Sequence, residues 1–147
     1  SAIPTTIHMF NIPSISVNCY TIVVMTKIAI IEDDPVINQM YRMKFEASGF
    51  TVHTASDGQA GVELVKKTNP DIILLDIQMP HMSGDEALAK IRDLQSHKTT
   101  PVIILTNVGK EEAPAALKNL GVASYIVKAE FTPSQVLAKV QKTLEAN

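Results

Sequence analysis

"DIILLDIQMPHMSG", residues 71–84, decides the fold. Ile72 to Leu75 form an unbroken apolar run, the pattern of a strand covered on both faces in a parallel sheet. The run nevertheless closes on a carboxylate, Asp76. Shortly after it, Ser83 with Glu86 three positions on forms a capping box ahead of Leu88, Ile91 and Leu94. A buried strand that ends in an acid and hands over to a helix is one βα unit, and the acid needs something to bind.

Outward from this stretch the same unit repeats. The β-rich runs "KIAII" (27–31), "FTVHTA" (50–55), "DIILL" (71–75), "PVIIL" (101–105) and "VASYIV" (122–127) alternate with amphipathic stretches. Asp34-Pro35 supplies an N-cap and a proline at the first helical position; Val36, Met40, Met43 and Ala47 then recur on one face, and Gly49 is the stop. Asp57 can cap a second helix whose Gly61, Leu64 and Val65 face inward. Thr132-Pro133 with Gln135 opens the last helix, before Val136, Leu137, Val140 and Leu144. "KEEAPAALKNLG" (110–121) reads as the fourth, with Pro114 in its first turn and Gly121 at its close. The expected fold class is therefore α/β: a doubly wound, five-stranded parallel sheet of order 2-1-3-4-5 with five helices. Methionines at helical spacing read as core filler.

The chain has 147 residues, 46% apolar and 19% charged, which suits one globular domain with a real core and excludes a disordered chain. A formal charge of −2, with both signs interspersed, argues against a nucleic-acid or anionic-membrane binder. Cys19 is the single cysteine, so no internal disulfide forms, and no Cys/His spacing resembles a zinc site; a reducing, cytoplasmic setting is expected. His8, His53, His81 and His97 are scattered among polar neighbours and read as surface residues. Residues 1–24 carry no charged side chain besides His8 and have neither a membrane-length apolar run nor a signal-peptide pattern. Met25 opens "MTKIAIIEDD" like a natural start, so residues 1–24 read as an N-terminal extension, natural or introduced by cloning, or else an added strand or pairing arm; residues 25–147 are the domain.

The polar residues fall at the strand ends. Glu32, Asp33 and Asp34 follow the first run, Asp76 ends the third, Thr106 follows the fourth and Lys128 follows the fifth. In an open parallel sheet ligands bind outside the carboxyl ends of the strands, at the point where strand order reverses. For order 2-1-3-4-5 that point lies between the first and third strands, both of which end in acids. Two unit charges about 4 Å apart repel by about 4 kcal/mol at an effective dielectric of 20, so Asp33, Asp76 and Glu32 together call for a counter-charge. Mg²⁺ is the natural one, because it takes oxygen ligands and joins carboxylates to phosphoryl groups. Lys128 adds a positive charge and Thr106 a hydroxyl, a set that can stabilise a phosphoryl group moving to a carboxylate.

In their order and spacing, "KIAIIEDDP", "DIILLDIQMPHMSG", "PVIILTN" and "YIVK" resemble the response-regulator receiver domain of two-component signalling, over residues 27–145. The resemblance implies that Asp76 is the phosphoacceptor, taking a phosphoryl group from a histidine kinase or phosphotransfer protein. It implies Mg²⁺ bound by Asp33 and Asp76, by Glu32 through water, and by the backbone carbonyl of Gln78. Lys128 would pair with phosphoryl oxygens, Thr106 would close onto them, and Tyr125 would swing inward behind it as a two-state switch. Two departures stand out. Glu32-Asp33 replaces the more usual Asp-Asp, and Ala129 follows Lys128 where the family has a cis proline. A non-proline cis bond costs about 2.5–4 kcal/mol, so the loop is expected to run trans and to place Lys128 differently.

Three rival readings fare worse. A flavin module would need a phosphate-cradling loop where "EDDP" stands, and there is no tryptophan to stack on the ring. An aspartate-nucleophile phosphohydrolase would have an acid two residues after Asp76, where "IQMP" follows instead. A degenerate receiver serving only as a docking module is at odds with the intact acid, threonine and lysine set. The chain is thus expected to be a switch without enzymatic turnover beyond its own phosphorylation and dephosphorylation. "MTKIAIIEDD" and "KTLEAN" read as natural ends, so a stand-alone receiver is expected over a fragment with a DNA-binding or enzymatic output domain. Its output would be a downstream target protein bound around Lys110, Glu111, Tyr125 and Lys128, with no direct nucleic-acid or membrane contact; a phosphorylation-dependent homodimer is compatible with this.

Overall fold

The computed structural model describes residues 26–109 and 113–146; the expectations placed on residues 1–24, and on Lys110 and Glu111, lie outside them. Strands β1 (Lys27–Ile31), β2 (Thr51–Ala55), β3 (Ile72–Asp76), β4 (Val102–Thr106) and β5 (Ser124–Val127) form one sheet of order β2-β1-β3-β4-β5. All its pairings are parallel. Helices α1 (Pro35–Ala47), α2 (Gly58–Thr68), α3 (Gly84–Arg92) and α4 (Pro133–Glu145) cover its two faces. Strand side chains alternate between those faces. Ile28, Ile30, Ile72 and Leu74 pack with Tyr41 and Phe45 of α1 and Val136 and Val140 of α4. Ala29, Ile31, Ile73 and Leu75 pack with Val62 and Val65 of α2 and Leu88 and Ile91 of α3. The central strands β3 and β4 are buried along their whole length, which is why they read as unbroken apolar runs.

Capping follows the sequence closely. The Asp34 carboxylate accepts from the N–H groups of Val36 and Ile37 at the start of α1, and Asp57 accepts from Ala60 at the start of α2. Both capping boxes form, at Ser83/Glu86 and at Thr132/Gln135.

Three expectations are corrected. The described residues contain four α-helices, not five: where the fourth was expected there is a 3₁₀ turn at Ala115–Asn119. The turn closes with i to i+3 bonds, Leu117 N–H to the Pro114 carbonyl and Leu120 N–H to the Leu117 carbonyl, and Gly121 then turns the chain away at φ 69°. Second, α1 buries the other of its two apolar faces. Tyr41 and Phe45 are inside with Ile37 beside them, while Val36, Met40 and Met43 are 73%, 42% and 60% exposed, and Ala47 is also outside. Both sets share helical spacing; the aromatic one wins because it fills more volume, and Phe45 meets Phe50 edge-on with ring centroids 5.2 Å apart. Met40 and Met43 are therefore not core filler, whereas Met79 is buried. Third, His97 is buried rather than on the surface.

His97 sits at the base of the sheet, before β4. Its ring nitrogens meet Thr100 Oγ1 at 2.7 Å and Asn69 Oδ1 at 3.0 Å. Beside it Arg92 donates to the carbonyls of His97, Thr100, Leu120 and Gly121. This junction ties the ends of α2 and α3 to the chain entering β4 and β5. No helix among the described residues is long and apolar enough to cross a membrane.

Candidate functional site

Sheet register assembles the opposite rim. Ile31 pairs with Leu75, so Glu32, the residue after β1, stands level with Asp76. Asp76 pairs with Leu105 and Thr106 with Val127, so Thr106 and Lys128 each follow one step on. Glu32, Asp76 and Thr106 are all buried, with Asp33 half-buried beside them. One carboxylate oxygen from each of Glu32, Asp33 and Asp76 lies within 4.8 Å of the others. Lys128 opens a short 3₁₀ turn after β5, with Nζ 2.7 Å from Glu32 Oε1 and 3.2 Å from Asp76 Oδ2. The described residues contain no cis peptide bond, so the Lys128-Ala129 link is trans, and the lysine still reaches both acids.

Main-chain donors fix the acids. Gln78 N–H donates to Asp76 Oδ1 at 3.0 Å, and Asp34 N–H donates to Glu32 Oε2 at 3.0 Å. The Gln78 carbonyl accepts no hydrogen bond among the described residues. Thr106 Oγ1 accepts from Val108 N–H at 3.1 Å, which holds the hydroxyl at the rim. Tyr125 lies lower, level with Ile104, half-buried against the core on the α2–α3 side.

Two residues escaped the sequence reading. Asn38 donates its amide to the carbonyls of Glu32 (2.9 Å) and Ala55 (3.2 Å), locking the turn that aims Glu32. Its only signal was a polar side chain one turn into α1. Gly84 starts α3 hard against the loop after Asp76: a Cβ there would lie 2.5 Å from both Asp76 O and Ile77 Cα. A glycine directly after the capping serine was the available clue.

Electrostatics follow from burial. Burial pushes the Asp76 carboxyl up to about 7; the Gln78 N–H and the Lys128 charge oppose this, and Glu32 and Asp33 reinforce it. Burial also acts to lower the Lys128 pKa, but contact with Glu32 and the charges of Asp76 and Glu32 outweigh it and hold the ammonium above its usual range. The buried Glu32 Oε1 is paired with the Lys128 ammonium at 2.7 Å, and that one ammonium also answers Asp76, so negative charge is left over in the cluster. An oxygen-only set, with three acids against one lysine, fits a hard divalent cation such as Mg²⁺. The donor set contains no nitrogen or sulfur ligand that would favour zinc.

The profile of the response regulator receiver domain family matches residues 28–141. The chain belongs to that family. It is 36% identical over 118 residues to the transcriptional regulatory protein SrrA of Staphylococcus aureus, a match covering 80% of this chain and 47% of SrrA. The receiver thus spans about half the length of the curated relatives it matches. Among solved structures, the chemotaxis protein CheY4 of Vibrio cholerae is similar at 30% identity and TM-score 0.76, covering 81% of this chain and 98% of that one. The response regulator TrrA of Thermotoga maritima, solved in complex with Mg²⁺ and BeF, is similar at 27% identity and TM-score 0.71, covering 81% and 99%.

Proposed function

We propose that this receiver accepts a phosphoryl group on Asp76 from a phosphohistidine of a sensor histidine kinase or phosphotransfer protein. The observation that carries the reading is the convergence of three buried or half-buried carboxylates and one lysine at a single strand rim. An Asp76 oxygen attacks phosphorus, the phosphorus–nitrogen bond breaks, and the imidazole leaves with the electron pair. Water later attacks phosphorus, releasing phosphate and restoring the carboxylate. Lys128 exchanges a carboxylate partner for a phosphoryl oxygen, and the Thr106 hydroxyl closes onto another. Asp33, Asp76, the Gln78 carbonyl and, through water, Glu32 would hold Mg²⁺, which would supply positive charge against the transferring group. Tyr125 then moves inward, and the surface around it and Lys128 changes what it binds. The protein turns over nothing but its own phosphoryl group, and it works in the cytoplasm.

The test is labelling by acetyl phosphate, read by intact mass and peptide mapping. One phosphoryl group on Asp76 with Mg²⁺, and none with EDTA or in Asp76→Asn, is expected; folded protein that stays unlabelled with Mg²⁺ present refutes the reading. For the output, SrrA is a transcriptional regulator of which this chain matches 47%, which favours a receiver working within a longer regulator over a stand-alone one.

A further inference from the structure

β2 and β5 are the two edges of the sheet, and β2 is the unguarded one. Natural edge strands discourage further pairing with a lysine, a proline or a bulge. β5 runs into Lys128, whereas β2 (Thr-Val-His-Thr-Ala) has no lysine, acid or proline, and its register with β1 runs without a bulge. Thr51 N–H donates to the Thr26 carbonyl and Glu32 N–H donates to the Ala55 carbonyl, so Thr51, His53 and Ala55 turn their backbone groups toward β1. Alternation turns those of Val52 and Thr54 outward, where no described residue meets them. Beside this edge lies a cavity of about 890 Å³, whose lining includes Thr54 and, from the flank of α2, Ala60, Glu63, Leu64 and Lys67. These four have the i, i+3, i+4, i+7 spacing of a helix face that meets a neighbour. Yet Ala60, Glu63 and Lys67 are exposed, and Leu64 is only half-buried.

The flank is complementary to itself. In two copies related by a two-fold axis through His53, β2 runs antiparallel to β2 and α2 to α2. Val52 and the second copy's Thr54 then exchange N–H to carbonyl bonds in both directions, and the symmetry repeats the exchange. Glu63 of each copy comes within reach of the second copy's Lys67, with the Leu64 side chains between. Within its own helix Glu63 meets Lys66 at 3.4 Å, an exposed pair weak enough to be shared. A second copy thus supplies both a matching edge and the opposite charge at each position.

We propose that two copies of this chain dimerise edge to edge through β2, antiparallel, with the Glu63 and Lys67 flank of α2 closing the seam. The pairing uses no side chain of the acid cluster, so Asp76→Asn dimerises as the wild type does. Sedimentation velocity of the full chain over a range of concentrations detects the dimer, and amide hydrogen exchange read by NMR locates it. The Val52 and Thr54 amides slow as concentration rises, while Thr51, already bonded to Thr26, is slow throughout. Glu63→Lys and Lys67→Glu each set like charges across the seam and weaken self-association about tenfold. Mixed together, the two variants pair with each other as tightly as the wild type pairs with itself, a rescue that a folding defect in either would not permit. Four results overturn the proposal: a monomer at every concentration with Val52 and Thr54 exchanging freely, protection of those amides that ignores concentration (another part of the chain covers the edge), a dimer that leaves them unprotected, or a variant mixture that associates no better than its components.

Discussion

The two ends of the sheet each bury a polar cluster, and they are built on opposite rules. At the base, His97 has a partner for each ring nitrogen, and Arg92 donates to four carbonyls. At the rim, three acids face one lysine, which pairs with Glu32 and Asp76 and leaves negative charge uncompensated. A satisfied buried network stabilises and defines a structure, while an under-satisfied one costs stability until something completes it. The base is a fastening, and the rim is a receptacle.

Cutting the base should hurt most. Arg92→Ala orphans four carbonyls and is expected to cost about 3 kcal/mol in urea unfolding; a loss below about 1 kcal/mol would mean that the junction fastens nothing. Gly84→Ala comes next, at about 2 kcal/mol, because the new Cβ meets backbone that cannot yield. It should also slow phosphoryl labelling by displacing the loop behind Asp76, so unchanged labelling kinetics would remove Gly84 from the site.

A smaller effect separates the two ends by pH. Burial first, and the Arg92 charge second, hold the His97 imidazole below its usual value of 6.5. A base with a depressed folded-state pKa favours its neutral form, so its contribution is fully present above the unfolded value and is lost as pH falls through the folded one. The stability of the wild type is expected to drop on acidification more steeply than that of His97→Gln, measured by urea titrations at stepped pH. Parallel pH profiles would show that the ring is not strained by protonation. The smallest expected effect is a gain. His81 adopts φ 69° in the loop after Asp76, and His81→Gly should stabilise by about 0.5–1 kcal/mol once the added chain entropy of glycine is counted.

The sequence carried the fold because β3 and β4 are buried on both faces, so their runs could not be mistaken for amphipathic helix. It carried the rim because register, once the strand order was set, levels Glu32 with Asp76 and brings Thr106 and Lys128 past the same edge in successive steps. It misjudged α1, where two apolar stripes compete at the same periodicity and only packing against the sheet chooses between them. The segment between Pro114 and Gly121 was legible as helical in composition, but its backbone closes in the tighter i to i+3 pattern of a 3₁₀ turn, which composition does not separate from an α-helix. His97 was hidden because its partners, Asn69 and Arg92, are remote or unremarkable in sequence. Asn38 and Gly84 act through backbone contacts that no spacing rule exposes.

The most direct test of an under-satisfied rim compares the unfolding free energy of wild type and Asp76→Asn in EDTA and in saturating Mg²⁺. Removing one of three crowded acids while Lys128 keeps Glu32 should make the variant more stable than wild type in EDTA, and Mg²⁺ should then raise the stability of the wild type much more than that of the variant. A variant less stable than wild type in EDTA, together with a wild type indifferent to Mg²⁺, would mean that the rim is a finished salt bridge like the fastening at the base, and would contradict the account.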